Sequence, residues 1–522
     1  MTANIPSHHT DARSAWRRHG ASPEQVADLA RGSLPSAWRV RPDHPALLFP
    51  AESDRWITHG ELDERSARTA TWLRANGFST GDRVLLCGAN SSALVVAYLA
   101  LLRAGAVVVP ANPAYTADEL DHLVTDSGAE WAFAARPAAD RLDGPRLVPL
   151  DEPLPERAPA ALPSLGSDDL ALLGYTSGTT GAPKGVPLTH GNLLSSIRAA
   201  MLAWRWGEDD VLVHSLPLSH QHGLGGVHAT LLAGSSAVVL PTFDAEQLTD
   251  AVHRHAATVL FAVPAIYERL AAEAPRALTA PALRLAVSGS APLGPELAER
   301  LSGIMGRPPL ERYGSTEAGL DVSNPLDGPR VPGTVGLPLP GVEMRIADDS
   351  GADAADGEIL LRGPQVFGGY WNRPAETAEA FHPGGWFRTG DLGHVDAETG
   401  YLRITGRKKE LIITGGLNVS PREVELALER HPAVAEAAVA GLPSQRWGEQ
   451  VTAWVVPTEA VDPDELVAHC RARLAPHKCP KQVFVVDSLP RNSMGKLRRS
   501  ALAPPDTAEL DRAVAKLWRA EL

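Results

Sequence analysis

The sequence predicts an α/β chain of two domains: a large N-terminal domain of parallel-type sheets with helices plus a β-rich subdomain, and a small α+β C-terminal domain. Three observations predict it. The chain has 522 residues, more than one hydrophobic core normally organises. Short apolar runs alternate with helical patterns through the first half, and that alternation implies parallel strands covered by helices. Beyond Val342 the runs shorten and fall between Gly and Asp turns, and after Arg407 a compact helix-and-strand tail begins.

Taken in order, Thr58-His-Gly-Glu61 and Thr116-Ala-Asp-Glu119 have capping-box spacing and each starts a helix. Arg83–Cys87 is an apolar run of strand length, 93–103 reads as a helix, and 106–110 as the next strand. Residues 134–168, rich in Ala, Pro, Asp and Glu, read as a surface connection. The pattern resumes at Leu170. Residues 238–240, 260–263 and Leu285–Ser288 read as strands, the last followed by the turn Gly289-Ser290-Ala291-Pro292. Loops after strands are where α/β sheets bind ligands. Residues 343–346, 358–362 and 401–404 are the short strands of the β-rich part. In the tail, Ser420-Pro421 opens a helix reaching about Arg430, with Pro at its first position. A strand over 451–456, a helix over 463–474 and an amphipathic helix over 508–522 follow, and no internal repeat is present.

Composition sets limits on function. The formal net charge of −13 argues against non-specific nucleic-acid binding. Cys87, Cys470 and Cys479 make no metal spacing and no even disulfide set, which fits a reduced cytoplasm. Met1 to about Arg18 is polar and lacks the apolar stretch of a signal peptide, and its first 20 or so residues read as disordered. No apolar run approaches the length of a membrane span.

The most informative stretch is Tyr175-Thr-Ser-Gly-Thr-Thr-Gly-Ala-Pro-Lys-Gly185. It has almost nothing to bury, but it suits phosphate. Glycines let backbone N–H groups close on an anion, hydroxyls donate, and Lys184 adds a point charge. It is not an ordinary P-loop. That motif runs Gly, four residues, Gly-Lys-Ser/Thr into a helix, whereas Ala182-Pro183 separates Gly181 from Lys184 here and Gly185 follows.

This loop resembles the phosphate loop of AMP-forming adenylating enzymes, the group of acyl-CoA synthetases, stand-alone adenylation domains and luciferase. Four more stretches resemble that family's signatures in the same order: Tyr313-Gly-Ser-Thr-Glu317, Gly385-Trp-Phe-Arg-Thr-Gly-Asp391, Gly406-Arg-Lys-Lys-Glu-Leu-Ile412 and Pro490-Arg-Asn-Ser-Met-Gly-Lys496. The resemblance spans about residues 40 to 502. It implies a domain boundary between 406 and 407: an N-terminal adenylation domain holding the acid, ATP and Mg²⁺ sites, and a mobile C-terminal domain carrying the catalytic lysine.

The chemistry it implies solves a leaving-group problem. A carboxylate attacks the α-phosphate of ATP, pyrophosphate leaves, and a thiol then attacks the acyl-adenylate and expels AMP. The resemblance gives Thr176, Ser177, Gly178, Thr179, Thr180 and Lys184 the β- and γ-phosphates, and Thr316 the α-phosphate. Ser288, Gly289, Ser290 and Ala291 lie beside adenine, with Gly314 next to the stacking Tyr313. Asp391 and Arg407 take the ribose. Alone, Glu317 is a solvated loop acid; inside Tyr-Gly-Ser-Thr-Glu it is the Mg²⁺ ligand, and one carboxylate suffices because Mg²⁺ takes its other ligands from phosphates and water. Lys496 is the catalytic cation, Lys409 the hinge, and Gly415-Gly416 the loop past which a pantetheine arm runs. The acceptor is CoA, with a carrier-protein phosphopantetheine as the alternative.

The acid pocket begins at Leu216-Pro-Leu-Ser-His-Gln-His-Gly223. Amino-acid-activating relatives place an Asp in this region; no acidic residue occurs from Leu216 to His228. His222 is implied to line the pocket and to rearrange between states. The nearest resemblance is to malonyl-CoA synthetases, carried by His220-Gln-His-Gly223, Arg284-Leu-Ala-Val-Ser-Gly-Ser-Ala-Pro-Leu293 and Ser323–Gly333. There an arginine matching Arg284 binds the distal carboxylate. Departures are Gln221, Ser315 in place of a methionine, and Gly225-Gly226 in place of bulkier residues. They lead to the expectation of a larger aliphatic, aromatic or polycyclic acid, with malonate or methylmalonate as the alternative.

Overall fold

Arg83–Cys87 and Leu285–Ser288 are strands over the residues expected. The computed structural model describes residues 12–176, 183–414, 417–444, 446–491 and 496–504. Ser177, Gly178, Thr179, Thr180, Gly415, Gly416, the 492–495 part of the lysine motif and the helix expected over 508–522 lie outside the described residues, as does the chain before residue 12.

The chain divides into two compact units, residues 1–389 with 394–403, and 390–393 with 404–522. In the first, one sheet has six strands in the order Arg146–Pro149, Trp131–Ala134, Arg83–Cys87, Val107–Ala111, Leu170–Thr176, Lys184–Thr189. All pairs are parallel except the last. The strand at 146–149 sits inside the stretch expected to be only a surface connection; its pairing with Trp131–Ala134 is what recruits it. A nine-stranded sheet contains six consecutive parallel strands: Leu310–Ser315, Leu285–Ser288, Val259–Ala262, Val211–His214, Ser236–Val239 and Pro45–Leu48. Such strands are buried on both faces, and Val213, Val238, Leu260 and Val287 are accordingly buried.

Both capping boxes form. Thr58 starts His59–Ala75 and Thr116 starts Ala117–Ser127, each hydroxyl accepting from the N3 backbone N–H while the N3 Glu reaches back. The β-rich part contains Glu343–Ala347 paired antiparallel with Asp356–Arg362.

The second unit has its own core, including Val424, Leu428, Val439, Val451 and Leu466. Pro421–Leu428 and Pro463–Arg471 are its helices, each with Pro in the first turn and each ending slightly before the expected residue. They accompany Val434–Ser444 paired with Gly448–Pro457. Among the described residues no helix is long and apolar enough to cross a membrane, and all three cysteines are buried and unpaired.

Candidate active site

Thr176 and Lys184 are cross-strand partners in the antiparallel pair Leu170–Thr176 with Lys184–Thr189. Lys184 thus begins a strand, whereas the lysine of a P-loop opens a helix. The flanks of the glycine-rich loop are tied down. His122 Nε2 lies 2.9 Å from the Pro183 carbonyl, the Trp371 N–H donates to the Gly185 carbonyl at 2.8 Å, and a side chain on Gly185 would meet Trp371 Cβ at 2.9 Å.

The Lys184 ammonium stands 5.3 Å from the centre of the Tyr370 ring and 4.0 Å from Glu376. The Tyr370 hydroxyl donates to Glu317 Oε1 at 3.1 Å. Burial and the Glu317 charge push the Tyr370 pKa up, so it stays a donor. Among the described residues no three His, Cys, Asp or Glu side chains gather as a metal cage. A lone carboxylate fits Mg²⁺ completed by phosphate oxygens and water, and not a metal that needs several protein ligands.

Leu285–Ser288 and Leu310–Ser315 run parallel with Ser288 opposite Glu311, so their carboxyl ends bring the 288–291 turn to Tyr313 and Gly314. Gly314 is obligatory: a Cβ there would strike the Gly319 carbonyl across the hairpin. Ser290 holds a left-handed backbone, φ +70°, a conformation a serine keeps only where surroundings enforce it. Its hydroxyl is 3.3 Å from His222 Nδ1.

His222 is in the first turn of the helix Gln221–Ala233. Gly223 permits that turn, because a side chain would meet the Pro217 and Leu216 carbonyls at 2.5 and 2.8 Å. Burial, and then the charge of Arg312, hold the His222 pKa well below 6.5, so the imidazole is neutral at pH 7. Its ring lies 5.4 Å from Phe261. Gln221 Nε2 donates to the Thr316 carbonyl at 2.9 Å, tying the helix start to the residue assigned to the α-phosphate. Gln221 and Thr316 also line a small cleft with Asn112, Tyr115, Gly174 and Leu224. His222 Nε2, Ser288 Oγ, Arg312 Nε and Ser315 Oγ are buried without a hydrogen-bond partner among the described residues, with Ser288 on the sheet face opposite Arg312.

Two expectations are corrected. Arg284 does not reach this site. It precedes Leu285–Ser288, at the amino end of the strand whose carboxyl end carries Ser288. There its Nη2 and Nε bind Asp210 at 2.6 and 2.8 Å, and it also donates to the Trp204 and Arg205 carbonyls at 3.0 Å. Gly225 and Gly226 do not widen a pocket either. A Cβ on Gly225 would meet Ile197 Cδ1 at 3.2 Å and one on Gly226 Leu212 Cδ2 at 2.7 Å. These glycines let the helix pack closely against its neighbours.

In the second unit Asp391 and Arg407 form an ion pair of 3.0 Å. Lys409 is in the single turn Lys408–Glu410. Lys496 is exposed, next to Leu497, which bridges to Arg491.

Sequence reasoning overlooked three residues of the first unit. Asn90 donates to the Leu216 and Leu240 carbonyls at 2.9 and 3.0 Å and accepts from Leu218 N–H at 2.9 Å, fixing the loop before His220. Glu311 accepts from the Leu293 N–H at 3.3 Å, and burial pushes its pKa up to about 8. Arg312 is buried, which lowers its pKa to about 10 and leaves it charged at pH 7. The last two directly precede Tyr313, so adjacency to a signature was their signal.

Residues 34–371 match the AMP-binding enzyme family and residues 423–496 its C-terminal domain. The mitochondrial malonate–CoA ligase of Bos taurus is 36% identical over 545 residues, covering 91% of this chain and 92% of its own. A feruloyl-CoA synthase of Amycolatopsis sp is 40% identical, covering 84% and 92%. ATP-bound MatB from Rhodopseudomonas palustris superposes with a TM-score of 0.82 at 41% identity, covering 88% and 95%. The chain belongs to the AMP-binding enzyme family, among its AMP-forming acyl-CoA synthetases.

Proposed function

We propose that this protein is an ATP-dependent carboxylic acid:CoA ligase that forms an acyl-adenylate and acts on a compact acid with a polar tail. ATP and CoA are co-substrates, and Mg²⁺, held by Glu317, neutralises charge on the phosphates. Thr176 and Lys184 hold the pyrophosphate side, with Tyr370 fixing Glu317 beneath Lys184. Tyr313 and residues 288–291 hold adenine, and Asp391 with Arg407 the ribose. Neutral His222 orients the acid without competing for its charge. Lys496 stabilises the negative charge that develops when the carboxylate attacks.

The observation that carries the acid class is the pair of buried polar atoms His222 Nε2 and Arg312 Nε, both without a protein partner among the described residues. A hydrocarbon tail would leave them unpaired at about 1–3 kcal/mol each. Phe261 beside His222, with Trp204 5.8 Å behind it, limits depth. A larger acid is the second reading, one that would extend along the cleft lined by Gln221 and Leu224. ATP–pyrophosphate exchange over a panel of acids tests the proposal. Acid-dependent exchange followed by CoA thioester formation is expected; transfer to a carrier-protein thiol and not to CoA would replace the acceptor, and no exchange would refute the ligase reading.

A further inference from the structure

The helix Ala117–Ser127 turns one face toward the strands that flank the glycine-rich loop. His122 and Asp126 are spaced i, i+4 on it, so they share that face. His122 Nε2 lies 2.9 Å from the Pro183 carbonyl, and its ring meets Tyr175 edge-on at 6.1 Å. A carbonyl only accepts, so Nε2 carries the proton. Asp126 makes more connections. Its Oδ2 accepts from the Tyr175 hydroxyl at 2.9 Å, its Oδ1 from Arg373 Nη2 at 2.6 Å, and its backbone carbonyl from Trp371 Nε1 at 3.2 Å.

The Asp126 side chain is 10% exposed. A carboxylate that dry is tolerated where both oxygens are paired, and here a phenol takes one and a guanidinium the other. Burial, and then the hydrogen bond to Asp126, push the Tyr175 pKa well up, so its hydroxyl remains the donor. The groups that Asp126 holds lead into the nucleotide site by two routes. Tyr175 directly precedes Thr176, whose strand partner is Lys184. Trp371 and Arg373 belong to the segment that begins at Tyr370, whose hydroxyl donates to Glu317 and whose ring lies 5.3 Å from Lys184. Trp371 also donates its N–H to the Gly185 carbonyl.

We propose that Asp126, supported by His122, is a positioning residue for the pyrophosphate side of the site. It sets the Thr176–Lys184 pair and the Tyr370–Glu317 pair relative to each other, so that the β- and γ-phosphates of ATP and their Mg²⁺ meet preformed partners. This rests on the ligase reading above. Asp126 acts through Tyr175 and the 370–373 segment. Its effect is therefore confined to the phosphates that leave as pyrophosphate, and the second half-reaction, which starts from acyl-AMP, is spared.

The test separates the half-reactions of the full-length enzyme, over the panel of acids above with malonate, butyrate and ferulate included. In ATP–pyrophosphate exchange, Asp126→Asn and Tyr175→Phe are each expected to raise KM for ATP and for pyrophosphate about tenfold, the scale set by partners that orient ligand-binding groups. KM for the acid should stay within about twofold, as should thioester formation from preformed acyl-AMP and CoA. Together the two substitutions should cost less than the product of their separate effects, because they break the same hydrogen bond. His122→Gln, which keeps a side-chain N–H, should disturb KM for ATP less than His122→Ala. A merely structural role would lower the folded fraction and slow both half-reactions alike with KM for ATP unchanged, which would overturn the proposal. Wild-type KM for ATP and pyrophosphate in Tyr175→Phe would also overturn it, and this variant keeps the Asp126–Arg373 ion pair, so it decides the question even where Asp126→Asn fails to fold. Either result leaves the ligase reading intact. No exchange by wild type with any acid would overturn that reading and this proposal with it.

Discussion

The Tyr370 hydroxyl donates to Glu317 at 3.1 Å, and the same ring lies 5.3 Å from the Lys184 ammonium. One aromatic side chain thus joins the residue assigned to the metal to the residue assigned to the phosphates. Partners of this kind orient a metal ligand and typically matter by 10- to 100-fold. Tyr370→Phe should raise the Mg²⁺ concentration for half-maximal adenylation by about tenfold, with less effect on KM for the acid. An unchanged Mg²⁺ dependence in titrated exchange assays would remove Tyr370 from this role.

Lys496→Ala should slow adenylation by about 10²–10³, as loss of a charge aimed at the transition state does. Thioester formation from preformed acyl-AMP should persist. Separate half-reaction assays make the check; equal adenylation rates in variant and wild type refute the assignment.

Arg284 and Asp210 act on stability. Asp210 is buried, and Arg284 donates to it twice. Arg284→Met strands this carboxylate and should cost about 2–4 kcal/mol in urea unfolding, with KM for the acid unchanged. A raised KM at wild-type stability would return Arg284 to the acid site.

Glu311 should make stability depend on pH. Its pKa rises from 4.5 unfolded to about 8 folded. The folded state therefore holds the proton over that window, and the contribution is full below 4.5 and lost as pH rises toward 8. Glu311→Gln has no such loss and should gain on wild type from pH 5 to 8.5 by up to about 1.4 kcal/mol per pH unit. Buried His214, held at about 4, acts in the opposite sense: it favours the fold above 6.5 and weakens it below. Urea midpoints at pH 5, 7 and 8.5 test this, and parallel curves for variant and wild type contradict it.

Local chemistry made much of this protein readable from residue order. The Thr58 and Thr116 caps form as their spacing demands, because a capping box closes within four residues. Arg83–Cys87 and Leu285–Ser288 were visible as buried parallel strands because both faces are apolar. Val434–Ser444 was not visible: its alanines suit a helix, and only pairing with Gly448–Pro457 makes it a strand.

The nucleotide chemistry was legible for the same reason as the caps. The residues assigned to the phosphates, the metal and the ribose lie in short contiguous motifs, where spacing along the chain carries the signal. The acid site is assembled otherwise, from a helix start, two strand ends and the side chains that pack between them. Gly225 and Gly226 promised open space until Ile197 and Leu212 were seen to fill it. Arg284 was an anion site until Asp210 claimed it. Arg312, unremarkable beside Tyr313 in the chain, proved to be a buried charge pressed against the turn at Gly289. Which side chain faces which cavity is set by long-range packing, and that is decided only when the sheets and helices close around it.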